Sequence, residues 1–412
     1  MTLHLNVRAE GSWVKLISPT PATLRNCSFV DELNGWAAGD NGIIVHTSNG
    51  GDTFVIQNNP VDYYINDIFF LNKRLGWAVA NEFLLNGTTL LTTTNGGINW
   101  TAKFLEDTTR IFRTVYFLDS LNGYLGGFGG AINKTTDAGN SWFTVTVDSS
   151  EFSGFPIAKF KFVSANIGYA CGGQIDIAGV IWKTTDSGST WNAGGYSPEP
   201  FYNLFIKNSE RIISVGGDFE YGVQISKTTN GGSNWNYQSL GLFGQAYSID
   251  FRNSKEAWMP LGYARHWAVS FDTGMSWTTI PVTDSAEIYS VDFTDSLHGW
   301  AFGLDGVILK YTYITNITNE NLNIPSSVTL FQNYPNPFNP KTKINYELKI
   351  ADFVSLKIFD VQGKEIQTLV NENKVAGSYT IDFKAENLPS GIYYYKLETG
   401  NFSQTKKLIL LK

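Results

Sequence analysis

Two sets of side chains in this 412-residue chain have the types that chemistry needs. The first is Asp40, Glu82, Asp176, Asp218, Glu220, Arg265, His266 and Asp305, each in or beside a turn that follows a Gly-rich or aromatic strand. Carboxylates facing one another across a channel can hydrolyse a glycosidic bond, one as acid and one as base or nucleophile. Asp and Gly together in AGDNG, GGDFEYG and GLDGV are equally the composition of tight turns, which is the plainer reading. The second set is Arg25, Asn66, Arg113, Ala158, Tyr202, Tyr247 and Tyr289, each four residues ahead of a recurring large apolar residue. Two arginines and three tyrosines in one ring can bind a carboxylate or stack on a sugar; the bland alternative is a row of half-exposed strand starts.

Both sets depend on repeated elements for their positions. A nonapeptide of the form Ser/Thr-x-Asp/Asn-x-Gly-x-x-Trp/Phe occurs six times, with its glycines Gly51, Gly97, Gly139, Gly188, Gly232 and Gly274 spaced by 46, 42, 49, 44 and 42 residues. Strand-rich periods of 40 to 50 residues indicate propeller blades. A second motif runs in phase: FVDELNGWAAG, FLNKRLGWAVA, FLDSLNGYLGG, FVSANIGYACG, IKNSERIISVGG, FRNSKEAWMPLG and FTDSLHGWAFG, aligned on Phe29, Phe70, Phe117, Phe162, Ile206, Phe251 and Phe293. Seven inner hairpins against six nonapeptides leave one blade incomplete, and the N-terminal GSWVKLISP has the form of the missing outer strand. A ring closed by that strand leaves no open sheet edge, so residues 10–312 are expected to be a seven-bladed β-propeller with Trp13 in its last blade.

Each part of the nonapeptide serves a turn. The short oxygen-bearing side chains at Asn49, Asn95, Asp137, Asp186, Asn230 and Asp272 can bond nearby N–H groups, the glycine tolerates positive φ, and the aromatic residue opens the next strand. Three of the six carry Asn where a calcium loop needs carboxylate, and no DxDxDG run exists, so the expectation is no metal and no cofactor. The two cysteines, Cys27 and Cys171, form no metal-ligand spacing and are expected to be buried free thiols. Aromatic residues in PVDYY, SSEFSGFP and SPEPFYN either form an exposed adhesive surface or cover blade edges.

Residues 313–326 are polar and Asn-rich and read as a linker, and several short strands in residues 327–412 predict a small C-terminal Ig-like β-sandwich. The chain is thus all-β. Of its net charge of −7, residues 327–412 carry +3 and the rest −10, which argues against nucleic acid as partner. No apolar run approaches the length of a membrane span.

The repeated box resembles the Asp-box of sialidases, and its pairing with the G-W/Y-A motif resembles the photosystem II assembly factor family over roughly residues 10–312. That resemblance implies a seven-bladed fold and action by binding without catalysis. No sialidase-type arginine triad is apparent, and the acidic, arginine-poor body gives little support to the photosystem task itself. FQNYPNPFNPKTKI, VSLKIFDVQGKEI, AGSYTIDF, LPSGIYYYKL and the terminal KKLILLK, in that order, resemble the type A C-terminal sorting domain of the type IX secretion system. The resemblance implies the secretion machinery as a partner through residues 327–412, and an extracellular or outer-membrane surface location in a Gram-negative bacterium. Cargo of that system also carries a signal peptide; MTLHLNVRAEGSW lacks its features, which reads as a start placed too late or a fragment. The expectation is a monomeric, non-enzymatic propeller that binds a protein or polysaccharide. The alternatives are a secreted glycoside hydrolase and an assembly factor for a membrane complex.

Overall fold

The recurring Ser/Thr-x-Asp/Asn turn closes on itself through hydrogen bonds that these residue types supply. In the fourth copy Thr184 Oγ1 donates to Asp186 Oδ1 at 2.8 Å and accepts from Gly188 N at 2.9 Å, while Asp186 Oδ1 accepts from Thr190 N at 2.9 Å. The same wiring holds Asn49, Asn95, Asp137, Asn230 and Asp272, so Asn and Asp are interchangeable as oxygen acceptors here. Gly51 shows why the glycine is required: φ is +90° and a Cβ would lie 2.8 Å from the indole nitrogen of Trp300.

A computed structural model describes residues 11–82, 87–105, 111–148, 152–313, 328–349, 352–374, 377–400 and 402–412. They belong to two compact units, Met1–Ile314 and Thr315–Lys412. The first is a seven-bladed β-propeller whose sheets are antiparallel apart from Thr146–Val147, which pairs parallel with Thr190–Ser197 at the edge of blade 4. Blade 1 comprises Leu24–Phe29, Gly35–Gly39, Ile44–Thr47 and Val55–Ile56 from the inside outward, with the box turn between the third and fourth strands. The innermost strands of blades 2 to 7 are Tyr64–Phe70, Phe112–Phe117, Ile157–Phe162, Phe201–Ile206, Asp250–Phe251 and Ile288–Phe293. The outermost strand of blade 7 is Gly11–Lys15, paired with Ile308–Tyr313 in the register Trp13↔Tyr311. The N-terminal strand therefore closes the last blade. Tyr313, placed in the linker by sequence, belongs to this strand because Gly11 pairs with it; the remainder of 313–326 lies outside the described residues.

Why the two motifs run in phase is visible in the packing between blades. Four of the Gly-aromatic residues donate to the box turn of the next blade: Trp300 to Gly50, Trp36 to Gly96, Tyr124 to Ser187 and Tyr169 to Gly231, at 2.7–3.1 Å. The inner-strand phenylalanine of the next blade stacks on the same ring, with centroids 3.9 Å apart for Phe29 on Trp300, and 3.6 Å for both Phe70 on Trp36 and Phe117 on Trp77. Second strands such as GWAAG are buried along their whole length because a neighbouring blade covers each face. At the end of that strand a Cβ on Gly39 would lie 1.9 Å from the Thr23 carbonyl oxygen.

Cys171 is buried, and burial pushes its thiol up to about 12. Cys27 corrects the expectation of burial: it is only half-buried, because its strand borders the central channel.

In the second unit a sheet of Thr329–Leu330, Lys341–Leu348 and Gly377–Lys384 faces a sheet ordered Glu365–Lys374, Asp352–Phe359, Gly391–Thr399, Phe402–Leu410. The alternation of exposed lysines with buried Ile344, Tyr346 and Leu348 points one face of the first sheet at Val354, Leu356, Ile358, Tyr395 and Leu397 of the second, a β-sandwich core. Gly363, at φ +79°, occupies the turn after Asp352–Phe359. Of the final hairpin turn, Thr399 and Gly400 are described and Asn401 lies outside the described residues.

Trp13 joins ends of the chain nearly 300 residues apart. It stacks on Trp267 at 4.9 Å and meets Trp258, Phe293 and Tyr311 edge-on. Trp13→Ala should cost about 3–5 kcal/mol, read as a lowered midpoint in urea unfolding. An unchanged midpoint would show that the closing strand contributes little.

Candidate functional site

A β-bulge recurs at the same place in the innermost strand of six blades, between Leu24/Asn26, Ile65/Asp67, Phe112/Thr114, Ile157/Lys159, Phe201/Asn203 and Ile288/Ser290. The skipped residue is the fourth before the recurring apolar position. Released from the ladder, it is aimed at the channel mouth. All seven residues so numbered, Arg25, Asn66, Arg113, Ala158, Tyr202, Tyr247 and Tyr289, line one cavity of about 270 Å³. Tyr64 and Lys159 also line it; sequence reasoning missed both because neither stands at the counted position.

The two arginines differ. Arg25 forms a two-pronged ion pair with Asp40, Nε to Oδ1 at 2.8 Å and Nη2 to Oδ2 at 3.3 Å, and its guanidinium lies over the rings of Tyr64 and Tyr289. Arg113 lies 5.1 Å from the centroid of Phe128 and has no carboxylate partner among the described residues. Tyr202, Tyr247 and Tyr289 form a continuous arc, with centroids 5.5 and 5.4 Å apart. Burial pushes all three phenols up, so they are protonated donors at neutral pH. Tyr289 donates to Glu287 at 2.6 Å, Tyr247 donates to Gln245, and Asn66 donates to Asn81.

The structure does not gather the turn residues into a second ring. Asp40 reaches the cavity only through Arg25, and Glu82, Asp218, His266 and Asp305 do not line it. Asp176, Arg265 and Asp305 hold positive φ in their turns. His266 Nδ1 lies 2.7 Å from the Ala264 carbonyl, and Asp218 accepts from Tyr221 N at 2.6 Å. Asp176, Glu199 and Asp218 do form a group whose oxygens lie within 4.8 Å of one another, and Glu199 and Asp218 are buried. Burial pushes Glu199 up.

Below the mouth the channel wall is polar. Asp67, 1% exposed, accepts from Lys159 Nζ at 2.7 Å, Thr114 Oγ1 at 2.7 Å and Val115 N at 3.2 Å, tying blades 2, 3 and 4 together. Asp250 accepts from Phe293 N at 2.7 Å, Asp292 from Phe29 N at 2.9 Å and Ser28 from Phe70 N at 3.0 Å, each binding the next blade. The signal for Asp250 and Asp292 was present in the sequence, a charge one residue before the recurring phenylalanine; Asp67, three residues before Phe70, carries no such signal.

Asp250 and Asp292 hydrogen-bond to each other. Burial first, and then the charge of Asp292, pushes Asp250 up to about 7; burial likewise raises Asp292. Carboxyls raised above their unfolded values stabilise the fold fully below the unfolded value of 3.8, and that contribution is lost as pH rises through about 7. Asp292→Asn keeps an oxygen for Phe29 N and removes one charge. It should raise the melting temperature relative to the parent above pH 7, with the difference fading towards pH 5. A constant difference across pH 5 to 9 would refute the shared-proton account.

Residues 332–411 match the family model of the secretion system C-terminal sorting domain, and residues 55–213 that of the photosynthesis system II assembly factor YCF48. The chain is 28% identical over 149 residues to the photosystem II assembly lipoprotein Ycf48 of Synechococcus sp. (strain CC9902), covering 34% of this chain and 42% of that protein. It thus spans under half the length of that relative. Among solved structures, YCF48 bound to D1 peptide superposes with a TM-score of 0.58 at 21% identity, over 74% of this chain and 97% of the other. The GH74 xyloglucanase of Xanthomonas campestris gives 0.56 at 11% identity, over 82% and 59%. Likenesses at such identity show a shared propeller fold, which hosts binders and enzymes alike. The sorting domain implies a secreted or cell-surface protein, and no helix among the described residues is long and apolar enough to cross a membrane. The chain joins a seven-bladed propeller resembling the photosystem II assembly factor family to a secretion system C-terminal sorting domain.

Proposed function

We propose that this protein is exported through its C-terminal sorting domain, residues 327–412, with 313–326 as linker, and that propeller residues 10–312 act without catalysis by binding a segment of another protein at the channel mouth. The observation that carries the reading is Arg113, a cation with no carboxylate partner among the described residues, in the same cavity as the Tyr202–Tyr247–Tyr289 arc. A guanidinium in a partly enclosed site favours a carboxylate, and an aromatic arc favours a flat or apolar group beside it. An acidic peptide segment supplies both. YCF48, whose fold this propeller shares, has been solved with a bound peptide, which supports the same ligand class.

A polysaccharide is the second reading, favoured by the exposed faces that tyrosines offer to sugar rings. Hydrolysis is less well supported: Asp40 is neutralised by Arg25, and Asp250 and Asp292 bond to each other, too close for the water or sugar ring that glycosidase carboxylates flank. An assembly task for a membrane complex would use the same mouth with a membrane protein as partner.

Parallel peptide and glycan arrays with the purified full chain would test the proposal. Acidic peptides are expected to bind, and Arg113→Ala to weaken them about 10-fold or more, the value of a lost charged hydrogen bond. Tyr247→Ala should weaken them less. Turnover of a glycan, abolished by Asp250→Asn or Asp218→Asn, would overturn it.

A further inference from the structure

The turn joining the second and third strands of each blade lies on the same face as the channel mouth, since Asp40 there reaches Arg25. In blade 1 this turn is Asp40-Asn41-Gly42 and in blade 7 Leu304-Asp305-Gly306, ordinary polar tips. In blades 4 and 5 it is different. Their tips read Ile175-Asp176-Ile177 and Phe219-Glu220-Tyr221, an acid between two large apolar side chains, twice over in adjacent blades. Ile177 is 62% exposed, Phe219 71% and Tyr221 62%. Phe243, in the connection from blade 5 to blade 6, is 63% exposed and extends the patch, meeting Phe219 at 6.2 Å over half-buried Tyr263.

The apolar connections singled out in the sequence do not account for this surface: Phe152 and Phe155 are half-buried, Tyr63 and Tyr64 likewise, and Phe201 is fully buried. The exposed aromatic side chains of this patch stand instead at a turn tip, Phe219 and Tyr221, and in the connection to blade 6, Phe243.

The charge of the patch selects its partner. Asp176 and Glu220 are exposed at the tips, with Glu199 and Asp218 buried behind them, and none has an ion pair to a basic side chain among the described residues. The crowding of Asp218, Asp176 and Glu220 adds to the burial that raises Glu199. An anionic lipid surface or a nucleic acid would be repelled. A chain carrying Lys or Arg between apolar residues is matched in both respects: apolar groups against Ile177, Phe219, Tyr221 and Phe243, cations against Asp176 and Glu220 and over the aromatic faces.

We propose that the tips of blades 4 and 5 are a second docking surface, distinct from the channel mouth, for a basic and apolar segment of a partner protein. It goes beyond the mouth reading, since it does not use Arg113.

The test uses the full chain and three labelled 12-residue peptides. One alternates Lys with Leu and Trp, one has Glu for each Lys, and one keeps Lys but has Ser for Leu and Trp. Fluorescence anisotropy should show the first binding at least 10-fold more tightly than either control. The pair Phe219→Ala and Tyr221→Ala should weaken it about 10-fold, and the pair Asp176→Asn and Glu220→Gln should weaken it and flatten its salt dependence. Arg113→Ala should leave it unchanged. These side chains are exposed, so an unaltered melting temperature checks the fold of each variant. The proposal is overturned if the Ser peptide binds as well as the first, if the tip variants bind normally, or if Arg113→Ala alone removes binding, which would put the peptide at the mouth. It is equally overturned if the tips mediate only self-association in sedimentation, or only adsorption to vesicles of phosphatidylcholine and phosphatidylglycerol.

Discussion

The seating of the Gly-aromatic ring of one blade against the next blade, fixed at four junctions by a hydrogen bond to the box turn, is the constraint on which this propeller depends. Trp300 to Gly50 and Trp36 to Gly96 each place a ring over a glycine turn while the next phenylalanine stacks on that ring. The donor and the turn must therefore stay in phase along the chain. An isolated blade has neither partner, so the blades stabilise one another around a closed circle. The last gap is filled from the other end of the chain, by Trp13 among Trp258, Trp267 and Tyr311.

The same geometry sets the channel. Inner strands crowd at the axis, and the recurrent bulge relieves the ladder there while turning one extra side chain towards the mouth. Arg25, Arg113, Tyr202 and Tyr289 are thus delivered by a backbone irregularity. Lower in the channel, Asp67, Asp250, Asp292 and Ser28 hold neighbouring blades by accepting from their backbone N–H groups. The deep carboxylates have a structural use, which leaves the mouth and the adjoining turn tips as the surfaces open to a partner.

Several features were legible because they recur. Six boxes, seven inner hairpins and the position of Trp13 led to the ring and its closure, and counting four residues back from each phenylalanine found the side chains around the mouth. Other features follow from contacts between blades, which no single repeat contains. The ion pair of Arg25 with Asp40, the absence of a carboxylate partner for Arg113 among the described residues, the hydrogen bond between Asp250 and Asp292 and the half-exposure of Cys27 are of this kind.

The exposed tips of blades 4 and 5 mark the same limit from the opposite side. Asp176 and Glu220 read as turn residues in the sequence, and only the fold shows that Ile177, Phe219 and Tyr221 beside them face solvent. The sequence by itself determined the number of blades, the point of closure and the two-part organisation, since periodic hydrogen-bonding and packing needs leave a periodic trace. The tertiary structure alone decided which charges are neutralised and which aromatic residues face solvent. Pairing and burial depend on distances between residues of different blades, and those distances have no period to read.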